Sequence, residues 1–367
     1  MYDASLIVLL FFGICLYNIK LINNYDININ NNYLSISICN SLRGVFSLIV
    51  ILHHLAQIVG GGGYLFSKFL NVGFFAVAIF FFLSGYGLQK QYINKEDYSK
   101  GFLLNRLPKV IIPYIFANII YLIFYKCLGF KTPLIHNFFI GFFNGDPIVD
   151  HSWYIISILL FYIFFYCAMI FCKKTKRKKR SVIILSVIYY FCYITICRKL
   201  NYGEWWYISF VAIIVGMIWA TYEGKILSIT NRFYLFILIF NVCLFLLLYW
   251  LLFNYSFSNF FLVNDRYLKL TTISSVIFPI CILLFTLKFH FGNYCLDKIG
   301  QISLEIYMYH GLFITLFQTK YFMIHNSNLF IIASILFSYL FSIFMNKVDN
   351  YALSKYKEKI IKPYNIK

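Results

Sequence analysis

The sequence predicts an all-α polytopic membrane protein, with a ten-helix core and an extra N-terminal transmembrane helix. Three observations carry this. Apolar residues make up 61% of the chain and charged residues only 12%, against about 45–50% and about 25% in soluble domains. The apolar residues gather into stretches near the ~20 residues that a spanning helix needs. Basic residues fall between those stretches, as they do where charge sets orientation. A water-soluble globule of this composition would expose too much apolar surface, and a disordered chain needs low hydrophobicity. A closed barrel would read as short alternating segments instead.

Eleven stretches qualify, in order: 4–21, 41–59, 69–89, 109–129, 152–172, 181–198, 205–222, 233–253, 267–287, 298–318 and 327–346. The first has the length of a signal peptide but opens Met1-Tyr2-Asp3, without a basic start, and no small-x-small cleavage site follows. It is therefore expected to stay as an uncleaved helix. The division that follows is 1–37 for this helix and its linker, 38–346 for the membrane domain and 347–367 for a basic cytoplasmic tail. The longest connections, 22–40, 90–108 and 130–151, leave no room for a soluble domain.

The net charge of +19 comes from 32 Lys and Arg against 13 Asp and Glu. The run KKTKRKKR, from Lys173 to Arg180, places the link between the fifth and sixth stretches in the cytoplasm. Alternation from there leaves only Lys68, Lys126, Lys131, Arg198, Lys199, Arg266, Lys269 and Lys320 on the outer side. A multi-pass protein of the cell membrane, a bacterial plasma membrane by this reading, then has a cytoplasmic C-terminus and an outside N-terminus. Topology thus accounts for the charge, and no nucleic-acid partner is expected. Ten cysteines form no CxxC pair, and most lie inside apolar stretches, so neither disulfides nor a metal site is expected.

Ionisable groups inside apolar helices are costly and mark functional sites. In SLRGVFSLIVILHHL, Arg43 and His54 are eleven positions apart. At about 100° per residue they fall within about 20° of one line and ~16 Å apart along the axis, with His53 about 80° off it. In the tenth stretch Gly300, Ser303, Tyr307 and His310 form one helical stripe, while Glu305 points away and needs its own partner. Ser84, Gly85 and Gly87 close the third stretch, where small residues let helices approach. Arg106, Lys109 and Pro113 follow at the expected cytoplasmic mouth, and Asp150, His151 and Trp153 lie at the outer interface. His136, His290 and His325 fall in loops or at interfaces and receive no role.

In these segments the chain resembles the acyltransferase 3 family of integral membrane acyltransferases. Arg43, ten residues and His54 match the family's mark on its first core helix. FFFLSGYGL resembles its FF-x-LSG-aromatic segment, NRLPKVIIPY its basic segment before a proline, and HSWYI its Trp-aromatic outer motif. LEIYMYH, after Gly300 and Ser303, resembles G-x-x-S-Y-x-x-Y-x-x-H, with Leu304 replacing the usual aromatic residue. The five occur in the family's order over approximately 38–346.

The resemblance implies an O-acyltransferase with about ten core helices. It would move an acyl group, often acetyl in this family, from cytoplasmic acyl-CoA to a hydroxyl of a cell-surface or lipid-linked carbohydrate. Acyl-CoA is then a co-substrate, membrane lipids are partners, and no bound cofactor is expected. Some members carry an esterase-like domain after the membrane body. Only about 20 residues follow the last stretch here, so product release is expected directly or through a separate periplasmic or extracellular transferase. A neutral imidazole suits proton removal from a sugar hydroxyl, a role that falls to His54. Arg43, Arg106 and Lys109 suit CoA phosphates. Ser303 or Tyr307 would donate to the oxyanion, His310 would orient substrate or relay a proton, and Ser84 and Trp153 would line the substrate site. Direct transfer and an acyl-His intermediate both fit. A glycan-lipid transporter or flippase is the alternative, which paired broken helices and inverted repeats would favour; a glycan polymerase would call for a larger outer loop.

Overall fold

A computed structural model describes residues 4–21, 30, 32–130, 147–149, 151–173, 175, 177–254 and 265–361. Its helices are α1 (Ser5–Leu16), α2 (Ile36–Val59), α3 (Tyr64–Ser67), α4 (Gly73–Asn94), α5 (Phe102–Arg106), α6 (Pro108–Cys127) and α7 (Trp153–Phe171). They continue with α8 (Lys178–Lys199), α9 (Val211–Arg232), α10 (Tyr234–Phe253), α11 (Asp265–Lys288), α12 (Tyr294–Gln301), α13 (Ser303–Leu316) and α14 (Ser327–Tyr356). Among the described residues, nine helical stretches are long and apolar enough to cross a membrane. The architecture is that of an all-α polytopic membrane protein.

Two expected spans take a different form. The tenth is not one helix, because the chain breaks at Ile302 (φ −110°, ψ 19°) between α12 and α13. The break comes where α12 crosses α2 at backbone distance. A Cβ on Gly300 would collide with the Asn40 carbonyl, and one on Gly44 with the Leu296 carbonyl. The first span has only 12 helical residues, about 18 Å at 1.5 Å per residue, short of the ~30 Å core. Extended chain follows it. Lys20 and Leu21 pair antiparallel with His290 and Phe289, and Asn293 donates from its side-chain nitrogen to the Ile14 carbonyl at 2.8 Å. At the other end the Ala4 amide donates to Gly62 at 2.9 Å. Residues 4–21 therefore run from the loop after α2 back towards the α12 crossing near its start.

The body is held by close helix pairs, the tightest being α4 with α9 and α2 with α12. On α4 a Cβ at Gly85 would strike the Ile213 carbonyl, and on α9 one at Gly216 would strike the Phe82 carbonyl. Small residues bring these backbones into contact, the means by which helices associate where lipid removes the hydrophobic drive. Gly87, also expected at a packing face, has no neighbour within 4 Å of an added Cβ. Pro108 opens α6 at a position where its missing N–H costs nothing, and Pro113 lies inside that helix without ending it.

The last helix runs past the expected end of its span at 346. α14 reaches Tyr356, and a π-helical turn continues to Ile361. Asp349 is buried along it, so the first part of the expected tail is helical and packs against the rest of the fold. The cysteines of the described residues are free.

Candidate active site

Helices α2 and α13 run in the same direction, so their polar residues meet at two levels. At the Arg43 level, α2, α4, α6, α7, α12, α13 and α14 enclose a cavity of about 680 Å³. Arg43, Lys109 and Lys357 line it with cations, Glu305 and Asp349 with carboxyl groups, and Ser84, Tyr154, Ser303 and Tyr307 with hydroxyls. The Arg43 guanidinium donates to the Asn40 side-chain oxygen at 3.3 Å, and Asn40 in turn donates to Asp297 at 3.1 Å. That chain fixes the guanidinium at the wall.

At the other level three imidazoles meet. The His54 ring stacks on His151 with centroids 3.7 Å apart and lies 5.2 Å from His310. Their nitrogens fall within 4.8 Å of one another. His54 Nδ1 faces the Gln57 side-chain oxygen at 3.2 Å. An amide oxygen only accepts, so Nδ1–H donates and Nε2 keeps its lone pair. His310 is fully buried, and its Nδ1 faces the Ile306 carbonyl at 3.2 Å. The same logic leaves its Nε2 basic, and that atom has no partner among the described residues. His151 adopts φ 62°, a strained conformation for a non-glycine residue, and its carbonyl accepts a hydrogen bond from the Tyr307 hydroxyl. It is exposed along the cleft, yet desolvation of the ring and the nearby His53 lower its pKa to about 4. Tyr307 joins the two levels, since it lines the cavity with one side and holds the His151 backbone with its hydroxyl.

The predicted residues divide accordingly. Arg43, Ser84, Lys109, Ser303 and Tyr307 line the cavity, and His54 and His310 come together above it. The stripe Gly300, Ser303, Tyr307 and His310 survives the break at Ile302, because Gly300 lines the cavity from α12. Two expected residues stand elsewhere. Arg106 donates to the Tyr98 hydroxyl at 3.2 Å and does not line the cavity. Trp153 is buried against Phe81 and Trp206, with centroids 6.4 Å apart in each case, which is packing. His53 turns away from the cluster: its Nδ1 donates to the Phe69 carbonyl at 2.9 Å, and its ring lies where a Gly73 side chain would be. Glu305 does have a partner, Asn346, which donates to it at 2.8 Å, but it does not point away as its helical phase suggested: it lines the cavity beside Ser303 and Tyr307.

The model of a family described as "Acyltransferase domain" matches residues 36–347. The chain belongs to the acyltransferase 3 family. No significant match was found among curated proteins or solved structures. Family and architecture together make this a membrane acyltransferase.

Within this acyltransferase, sequence reasoning missed His151, Lys357 and Tyr154. A signal for His151 existed: an imidazole two residues before α7, within an outer motif. Its sequence position points only to the interface, because nothing in the local spacing relates residue 151 to residues 54 and 310. Lys357 lies beyond the end that hydropathy gives the last span, at 346, whereas the helix and the turn after it run on and carry Asp349, Asn350, Leu353, Ser354 and Lys357 to the cavity wall.

Proposed function

We propose that this acyltransferase moves an acyl group, acetyl by family resemblance, from acyl-CoA to a hydroxyl of a surface or lipid-linked carbohydrate. The observation that carries the reading is the pairing of a cavity that bears Arg43, Lys109 and Lys357 with an imidazole whose Nε2 keeps its lone pair, bridged by Tyr307. CoA phosphates sit against Arg43, Lys109 and Lys357, where charge-assisted hydrogen bonds are the strong ones. The acceptor hydroxyl gives its proton to His54 Nε2 as its oxygen attacks the thioester carbonyl. The C–O bond forms, the tetrahedral oxyanion collapses, the C–S bond breaks and the proton passes to the departing CoA thiolate. Gln57 holds the tautomer that keeps His54 basic. Tyr307 and Ser303 stand at the cavity wall as donors to the oxyanion.

The test is transfer of radiolabelled acetyl from acetyl-CoA by the purified protein in lipid nanodiscs, with extracted glycan-lipids and free polysaccharide offered as acceptors. Label should reach an alkali-labile ester on one acceptor with the wild type and not with His54→Ala. Label that stays on CoA with every acceptor, from a folded protein that binds acetyl-CoA, would refute the acceptor class. Label on an amine would refute O-acyl transfer.

A further inference from the structure

The three imidazoles hold more than a proton-transfer site requires. They arrive from three elements: His54 from α2, His151 from the turn before α7 and His310 from α13. One nitrogen of each lies within 4.8 Å of the others. On His54 and His310 the Nδ1 donates to an oxygen, from Gln57 and Ile306 respectively. Metal-bound histidines almost always carry such an outward hydrogen bond, which fixes the tautomer and aims the other nitrogen at the ion. The His310 Nε2 is fully buried and has no partner among the described residues. A buried basic nitrogen with nothing to accept from calls for a ligand. Three neutral nitrogens with a position left open are the donor set of a zinc-type site.

We propose that His54, His151 and His310 form a binding site for a divalent transition-metal ion of the zinc type. Imidazole suits zinc, copper and nickel, whereas magnesium and calcium prefer oxygen ligands. Binding requires the nitrogens to close to about 2.0–2.1 Å from the ion. The His54 and His151 rings now stack nearly parallel, 17° apart, so one of them must turn. His151 is the one free to do so: it is exposed in a turn, while Tyr307 pins its carbonyl and leaves the ring to rotate. The site itself does not depend on the acyl-transfer reading. Its consequence does. An ion on His54 Nε2 takes the lone pair that would accept the acceptor's proton, so occupancy silences transfer, and removal of the ion restores it.

The experiment titrates chelator-stripped protein in nanodiscs with Zn²⁺ by equilibrium dialysis, without acyl-CoA, and counts metal per chain. One Zn²⁺ should bind, unaffected by excess Mg²⁺. His151→Ala, a turn residue whose loss leaves the helices intact, should weaken binding at least about tenfold. Gln57→Leu should weaken it by about 10–100-fold through the lost outward hydrogen bond. His325→Ala, on an exposed loop, should bind as the wild type does. No stoichiometric Zn²⁺ in the wild type, or unchanged binding by both His151→Ala and His310→Gln, overturns the site. Zn²⁺ that binds through these residues while acyl transfer proceeds at full rate overturns the silencing, and with it the proton-acceptor role of His54. The dialysis reads binding whether or not any acyl acceptor has been found, so the two failures are distinguishable.

Discussion

Adjacent histidines on α2 have opposite fates, and the difference is one of helical phase. His54 faces His151 and His310, and His53 faces the Phe69 carbonyl and Gly73. His54→Ala should lower acyl transfer by about 10²–10⁴, the usual cost of a lost general base. His53→Ala should leave a buried carbonyl unpaired and a void beside Gly73. It should lower the thermal unfolding midpoint while keeping the rate per folded molecule. Comparing rates normalised to folded protein decides it; a dead but stable His53→Ala would reverse the assignment. At the cavity, Arg43→Ala and Lys357→Ala should each weaken acyl-CoA binding by roughly one to two decades, from about 1.5–3 kcal/mol per charge-assisted contact. Arg43→Lys should recover part of this, because a point charge cannot reproduce a planar fork. Full recovery by Lys would mean that Arg43 only anchors the helix. Arg43 and His54 were legible because one regular helix carries both, and phase can be computed along a single helix. His151 and Lys357 were not, since their places depend on how separate helices pack.

Glycines decide how closely the helices come together. Gly85 and Gly87 lie on the same helix in one short motif, and both read as packing residues. The structure separates them. An added Cβ at Gly85 meets the Ile213 carbonyl, whereas at Gly87 it meets nothing within 4 Å. Backbone cannot yield as a flexible side chain can, so Gly85→Ala should force α4 and α9 apart. Overpacking of this kind costs typically about 1–3 kcal/mol. Because Ser84 lines the cavity from the next position, acyl-CoA affinity should fall together with stability. Gly87→Ala should leave both near wild type. Thermal unfolding and acyl-CoA binding of the two variants check this, and equal effects would refute the crossing. Break points are harder to read than faces. Nothing in the apolar run around Ile302 announces that it leaves helical geometry, and the close crossing beside it, α12 on α2 at Gly300 and Gly44, joins segments far apart in sequence. The hydropathy of 298–318 therefore reads as one span where the fold has two helices.

Across the whole molecule, charge placement and the cavity make one linked claim about sidedness. Number and approximate position of the long apolar segments were legible, since each needs only composition and length. Orientation rests on a different kind of signal, the distribution of Lys and Arg between segments, from which a cytoplasmic C-terminus is expected. The cavity adds an independent constraint. Lys357 lines it from the turn that continues α14, within the last eleven residues of the chain, and Arg43 and Lys109 line it from the starts of α2 and α6. A donor site for acyl-CoA built on these cations must open to the compartment that supplies acyl-CoA. If they bind the donor, the C-terminal end of α14 must face the cytoplasm, as the charge rule requires on separate grounds. A reporter active only in the cytoplasm, fused after Lys367, should therefore be active. An impermeant thiol reagent applied from outside should fail to label a cysteine placed at Glu358, the exposed partner of Lys355. An inactive reporter on well-expressed protein, together with labelling at 358, would break both inferences at once. The positive-inside assignment would then be reversed, and the Arg43, Lys109 and Lys357 cavity would face the side where acyl-CoA is absent.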